Sequence, residues 1–160
     1  MGFGEILHAK GIAFYASQMS GILGLAYNTI SVNGLDTFVD LSNLQDKSFS
    51  FYLNLDTDKS YMTIPGYDEQ AMGNQQFQFH DVVEQKYFSL NLTGLRQGST
   101  EIASNGYKAV IDSGTSVLVG PKKLVDQLNK GISVNLNCQG IESLPDITFV
   151  IDGIDYTLTW

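Results

Sequence analysis

The end of the chain, residues 147–160, alternates between apolar and mostly polar side chains with a period of two. Ile147, Phe149 and Ile151 lead into the dipeptide Asp152-Gly153. After it the same period resumes, with apolar residues at Ile154, Tyr156, Leu158 and Trp160. Two such runs separated by Asp-Gly are typical of a β-hairpin with a two-residue turn. We therefore predict two antiparallel strands joined by a turn at Asp152-Gly153.

The same kind of pattern recurs earlier in the chain. Residues 49–55, 61–64 and 87–92 are rich in β-branched and aromatic residues and are bounded by turn-forming residues, so we predict strands there. Short helices are predicted from Leu35 to Leu41 or Leu44 and at residues 121–130, the second with Pro121 in its first turn and Gly131 beyond its end. The fold class predicted is mostly β, with short peripheral helices.

Length and charge narrow the possible functions. A chain of 160 residues can bury one ordinary core. Nine basic and seventeen acidic residues give a net charge of −8, which disfavours nucleic acid as a partner. No apolar run is long enough to cross a bilayer, so we expect no membrane span. Residues 1–14 lack a basic region followed by an apolar stretch, so they do not resemble a signal peptide.

The segment with the clearest chemistry is residues 109–121, of sequence AVIDSGTSVLVGP. An apolar strand ends at Asp112, and a tight turn rich in hydroxyl groups follows. Gly114 removes a side chain where another backbone must approach, and the hydroxyls of Ser113 and Thr115 can orient a carboxylate. Asp-Ser-Gly alone often marks an ordinary turn. The longer pattern, with Thr-Ser after the glycine and an apolar run ending in Gly-Pro, is far more specific.

This segment resembles the second catalytic motif of the pepsin-like aspartic endopeptidases. Three further segments resemble that family in the same order, namely residues 20–27 (SGILGLAY), 61–66 (YMTIPG) and 143–149 (SLPDITF). The resemblance implies a fragment of a bilobal fold. Residues 1–60 would form the end of the first lobe, and residues 61–160 would form a truncated second lobe.

The resemblance implies hydrolysis of polypeptide substrates by a water held between two aspartates, with no metal or other cofactor. Asp112 would supply one carboxyl, and no second Asp-Ser/Thr-Gly occurs in the sequence. The first-lobe segment needed for activity would precede Met1, so we expect this chain alone to be inactive. The family also implies a secreted, lysosomal or vacuolar location.

Other residues acquire candidate roles by the same resemblance. Gly114, Thr115 and Ser116 would line the substrate cleft, and Ser113 would support the catalytic loop. Tyr87 and Val110 would shape the pocket after the scissile bond, and Ile22 the pocket before it. Apolar and aromatic strand residues are more often core, so a purely structural role is the alternative for Tyr87, Val110 and Ile22.

Two further residues are candidates for covalent chemistry. The single cysteine, Cys138, is a buried thiol, an intermolecular link or half of a pair. The resemblance matches it to a family cysteine whose partner would lie beyond residue 160. Asn91-Leu92-Thr93 is a sequon for N-glycosylation.

Two rival functions fit part of the sequence, and the order of the motifs argues against the first. A viral-type protease built from two single-motif subunits would need an apolar-apolar-Gly segment after the motif, whereas Ile22-Leu23-Gly24 precedes it. A non-catalytic pepsin-like protein that binds or inhibits other proteins is the alternative from another class. Zinc and serine hydrolysis are rejected, because two isolated histidines and no Gly-x-Ser-x-Gly motif offer little for either.

Overall fold

A computed structural model describes residues 2–8, 10–11 and 20–160. The N-terminal segment considered above for a signal peptide lies partly outside these ranges. The described chain divides into two compact units, one extending to Gln78 and the other running from Phe79 to Trp160. All of the buried apolar residues in the described ranges lie in the second unit. None of the described helices is long and apolar enough to cross a bilayer.

The first unit contains one small sheet and short helical turns. Strand β1 (Ser50–Tyr52) pairs antiparallel with β2 (Tyr61–Thr63). The other elements in its described residues are two short α-helices and three 3-10 turns: α1 (Phe38–Leu41), α2 (Glu69–Met72), Asn28–Ile30, Val32–Gly34 and Thr57–Lys59. Helix α1 begins after Thr37, whose hydroxyl accepts from Asp40 N at 3.3 Å while the Asp40 carboxylate accepts from Thr37 N at 2.9 Å. This reciprocal capping explains where the helix starts.

The second unit is an antiparallel sheet of five strands. They are β3 (Glu84–Gln85), β4 (Phe88–Gln97), β5 (Thr100–Val110), β6 (Ile147–Ile151) and β7 (Ile154–Leu158). Strand β4 is central, since β5 pairs along one of its edges while β3 and β6 pair along the other. Strand β7 lies outside β6. The 3-10 turn Ile141–Ser143 precedes β6.

One face of this sheet is covered by helix α3 (Lys122–Lys130), which starts after Pro121 and ends at Gly131. Leu124 of the helix packs with Leu95 and Ile147 of the sheet, and all three are at least 93% buried. Burying a leucine or isoleucine side chain contributes about 1.5–3 kcal/mol relative to leaving it exposed. The side-chain amide of Gln97 donates to the Leu128 carbonyl at 2.8 Å and so ties the end of the helix to β4.

Several sequence predictions are confirmed by these elements. The mostly β class is confirmed, because the described residues form mainly strands with few short helices. The C-terminal hairpin is β6–β7, and both turn residues have the positive φ that a type I′ turn requires, 49° at Asp152 and 83° at Gly153. The helix predicted at 121–130 is α3.

Other predictions were wrong in extent. The helix predicted from Leu35 to Leu41 or Leu44 begins later, at Phe38, and ends at Leu41. The strand predicted at 49–55 is limited to Ser50–Tyr52. Residues 20–25 lie outside any helix or strand. Residues 103–107 belong to β5. A register shift there accommodates Asn105 and Gly106, both with positive φ, as a bulge within the strand.

Candidate active site

Asp112 is positioned by the pairing of β5 with β4. The last paired residue of β5 is Val110, which lies opposite Ser89. Beyond it, Ile111 N donates to the Phe88 carbonyl at 3.1 Å. The backbone that enters Asp112 is thus held against the sheet up to the residue before the carboxylate. This agrees with the expectation that a strand delivers the aspartate at its tip.

The carboxylate of Asp112 is held by its own loop. Gly114 N donates to Oδ1 at 2.9 Å, and the Thr115 hydroxyl donates to Oδ2 at 2.6 Å. The Asp112 carbonyl also accepts from Thr115 N at 3.3 Å, which closes the turn. Each carboxylate oxygen therefore has a donor from the loop, and Gly114 and Thr115 together fix the orientation of the side chain.

These donors favour the ionised carboxylate. The Thr115 hydroxyl, followed by the Gly114 amide, lowers the pKa of Asp112 below its ordinary value, while desolvation acts in the opposite direction. Hydrogen bonds donated to an anion stabilise it because protonation would weaken them. Chemically, the loop presents an exposed, oriented carboxylate that can accept a proton or a hydrogen bond from a water.

The neighbouring loop residues differ in what they contact. A Cβ built on Gly114 would lie 3.2 Å from Asp112 Oδ1, so the glycine leaves room for the carboxylate itself. Ser113 donates no hydrogen bond to Asp112 within the described part of the chain, and Thr115 takes that role. Ser116 is exposed, as are all residues from Ile111 to Pro121.

Two of the predicted pocket residues lie close to Asp112 along the sheet. Val110 precedes Asp112 by two residues on β5, and Tyr87 lies in the β3–β4 turn, next to the Phe88 carbonyl that binds Ile111. Their side chains are about half exposed, 48% for Val110 and 50% for Tyr87. They are therefore not core residues in the described structure.

The remaining candidates lie away from this loop in the chain. Ile22 belongs to the first unit and is exposed. Cys138 is an exposed free thiol, so the buried-thiol alternative is wrong. Asn91 is an exposed residue of β4.

Two sets of contacts in the second unit were not predicted from the sequence. The Phe88 carbonyl anchors the approach to Asp112, but a backbone acceptor leaves no mark in the side-chain pattern. His80 binds Asp152 Oδ2 through Nδ1 at 2.9 Å and the Tyr156 hydroxyl through Nε2 at 2.6 Å. The hairpin pattern at residues 147–160 includes Asp152 and Tyr156, but nothing in the sequence links them to His80, which lies 72 positions before Asp152.

Comparison with known proteins assigns the class. The family model described as eukaryotic aspartyl protease matches residues 1–160. Cathepsin D of Bos taurus is 35% identical over 98% of this chain and 44% of its own length. For cathepsin D of Chionodraco hamatus these values are 33%, 98% and 43%, and for cathepsin E of Rattus norvegicus 31%, 98% and 43%.

The chain belongs to the eukaryotic aspartyl protease family. Its mostly β structure agrees with the pepsin-like fold of that family. The chain spans less than half the length of the curated relatives it matches.

Proposed function

We propose that this chain is part of an aspartic endopeptidase and that Asp112 supplies one of its two catalytic carboxyls. The observation that carries the proposal is the Asp112 loop. A strand end holds the backbone, and Gly114 N and the Thr115 hydroxyl orient the two carboxylate oxygens. Membership of the aspartyl protease family gives this arrangement a chemical context.

The proposed reaction is the established one of the aspartic protease dyad. Two carboxyls a few ångströms apart cannot both ionise cheaply, so one is protonated while the other is an anion. The anion takes a proton from the attacking water, and the acid polarises the scissile carbonyl. The donors to Asp112 favour its ionised form in this chain. The two carboxyls would titrate as a coupled pair once the second is present.

The second carboxyl is proposed to come from protein outside these 160 residues. The sequence contains a single Asp-Ser/Thr-Gly motif, and the matched relatives are more than twice as long. We therefore expect residues 1–160 alone to lack activity. The proposed location is a secreted, lysosomal or vacuolar compartment, with polypeptides as substrates.

The other roles are proposed on the same basis. Gly114, Thr115 and Ser116 lie on the exposed loop and would contact the substrate backbone, with Ser113 supporting the loop. Tyr87 and Val110 would shape the pocket after the scissile bond, since both have exposed side chains near the end of β5. Two further proposals concern distant residues: Ile22 in the pocket before the bond, and Cys138 as half of a disulfide.

The proposal is tested with a chimaera that supplies the missing parts. Residues 1–160 replace the matching segment of bovine cathepsin D, and cleavage of a quenched fluorescent peptide library is measured at acidic pH. We expect the chimaera to cleave peptides and Asp112→Asn to reduce cleavage by at least about 10²–10⁴-fold, the range for a positioned acid–base group. Asp126→Asn, on the exposed side of α3, is the matched control and should retain activity.

The outcomes of this experiment distinguish an aspartic endopeptidase from a non-catalytic binding protein. Equal cleavage by the Asp112→Asn chimaera would contradict a catalytic role for Asp112. A chimaera that folds, as judged by circular dichroism and cooperative unfolding, but cleaves nothing would favour the non-catalytic binding protein. The isolated chain provides a second check, because Asp112-dependent cleavage by residues 1–160 alone would refute the need for a second carboxyl.

A further inference from the structure

The sequon Asn91-Leu92-Thr93 lies in β4, the central strand of the second unit. Paired residues in an antiparallel ladder share a face, so the register assigns each residue a side. Leu92 lies opposite Tyr107 on one neighbour and Ile151 on the other, and it is 7% exposed. These residues belong to the face that packs against α3. Asn91, next to Leu92, is therefore on the opposite face, where its side chain is exposed.

Around Asn91 that opposite face is mostly polar. Asn91 lies opposite Lys108 of β5, whose ammonium group donates to Glu84 at 2.7 Å. Arg96, farther along β4, is ion-paired with Asp155 of β7. A group attached to Asn91 would therefore lie among charged side chains and displace no residue of the Leu95–Leu124–Ile147 core.

The third residue of the sequon has a different environment. Thr93 lies at a register shift in the β4–β6 pairing. Its hydroxyl donates to the Val150 carbonyl at 3.2 Å and accepts from Gly153 N at 3.2 Å. An enzyme that needs both the asparagine amide and this hydroxyl must reach them before the β6–β7 hairpin docks. The hairpin follows β4 by about fifty residues in synthesis, so the newly made chain offers such an interval.

We propose that Asn91 is an N-glycosylation site, occupied when the chain enters the secretory route that the proposed function requires. In the transfer, Asn91 Nδ2 forms a bond to the anomeric carbon of an oligosaccharide carried on a polyprenyl diphosphate. The bond between that carbon and the diphosphate oxygen breaks, and its electron pair leaves with the diphosphate. The amide gives up one proton. The fold then places the glycan on the polar face of the sheet.

The test uses residues 1–160 behind a cleavable secretion signal in cultured eukaryotic cells. Mobility of the secreted and cell-retained chain is compared before and after treatment with peptide N-glycosidase. We expect wild type to show the shift of one oligosaccharide, lost on treatment, and mass spectrometry to find aspartate at position 91 afterwards. Thr93→Ser, which keeps the sequon, should retain the shift, whereas Asn91→Gln and Thr93→Ala should lose it.

A variant with a second sequon is the positive control for glycosylation in these cells. Gln76→Thr, in an exposed segment of the first unit, completes an Asn-x-Thr sequence at Asn74. If Gln76→Thr in the Asn91→Gln background is modified while wild type is not, the machinery was available and the proposal is overturned. This experiment does not depend on peptide cleavage. An inactive chimaera would therefore not contradict the glycosylation proposal, and an unmodified Asn91 would not contradict the protease proposal.

Discussion

Gly131, at the end of α3, is expected to tolerate no side chain. Its φ and ψ of −89° and −3° suit alanine as well as glycine, so backbone strain is not the reason. A Cβ at this position would lie 2.5 Å from Oε1, 2.9 Å from Cδ and 3.1 Å from Nε2 of Gln97. Gln97 is 7% exposed, and its amide binds the Leu128 carbonyl, so it cannot move aside freely.

We therefore expect Gly131→Ala to lower the free energy of unfolding by about 1–3 kcal/mol. Overpacking a filled site costs about 1–3 kcal/mol, and losing the Gln97–Leu128 hydrogen bond would account for about 0.5–1.5 kcal/mol of it. Urea denaturation followed by circular dichroism measures the change. With a slope of about 2 kcal/mol/M, a loss of about 2 kcal/mol lowers the midpoint by roughly 1 M.

A matched glycine and a double-mutant cycle check the reasoning. Gly120→Ala would place its Cβ 3.8 Å from Val125, an ordinary contact, and should change stability by less than about 0.5 kcal/mol. In a Gln97→Ala background, Gly131→Ala should cost much less, because the clashing amide is gone. Equal midpoints for Gly131→Ala and Gly120→Ala would refute the steric argument, and so would an unchanged cost in the Gln97→Ala background.

Two predictions concern carboxylates. Thr115→Val should raise the pKa of Asp112 toward its ordinary value, because the hydroxyl that stabilises the anion is lost, while Thr115→Ser should keep the pKa low. ¹³C NMR titration of the Asp112 carboxyl carbon measures the pKa in both variants. Equal pKa values would contradict the stabilising role of the Thr115 hydroxyl. Hydrogen bonds from Lys108 and then Lys86 lower the pKa of Glu84 to about 2 from 4.5. The stabilisation from ionised Glu84 should be complete above about pH 4.5 and fade as the pH falls toward 2. Glu84→Gln should therefore lower the urea midpoint slightly at neutral pH and not at pH 2. A lower midpoint of the variant at pH 2 would contradict this prediction.

The fold could be predicted where a local rule sets the structure. The hairpin at Asp152-Gly153 depends on turn chemistry and alternation within one segment, and helix α3 depends on Pro121, Gly131 and helical spacing. The Asp112 loop is equally local, since its carboxylate is bound by Gly114 and Thr115, two and three residues later. Features of this kind depend on residues that are close in sequence, so a local sequence pattern predicts them.

Features set by pairing across the chain escaped prediction. The bulge in β5 is one such feature, because β4 holds the residues on both sides of Asn105 and Gly106 in register. His80 is similar, since its partners lie 72 and 76 positions later. The anchoring of Ile111 by the Phe88 carbonyl also depends on a strand register that side-chain patterns do not reveal.

The pairing of β4 with β5 has a consequence for evolution and engineering. Asp112 follows the last paired residue of β5, so each residue inserted between an anchored position and the carboxylate would shift it by about 3.3 Å and turn it to the other side of the sheet. Length changes upstream are tolerable only where the pairing is already irregular or ends, namely at the bulge of Asn105–Gly106, at the register shift between Leu95 and Arg96, and at the tight connection Gly98–Ser99. The pairing of β4 with β5 therefore fixes the position of the Asp112 carboxyl group along the sheet.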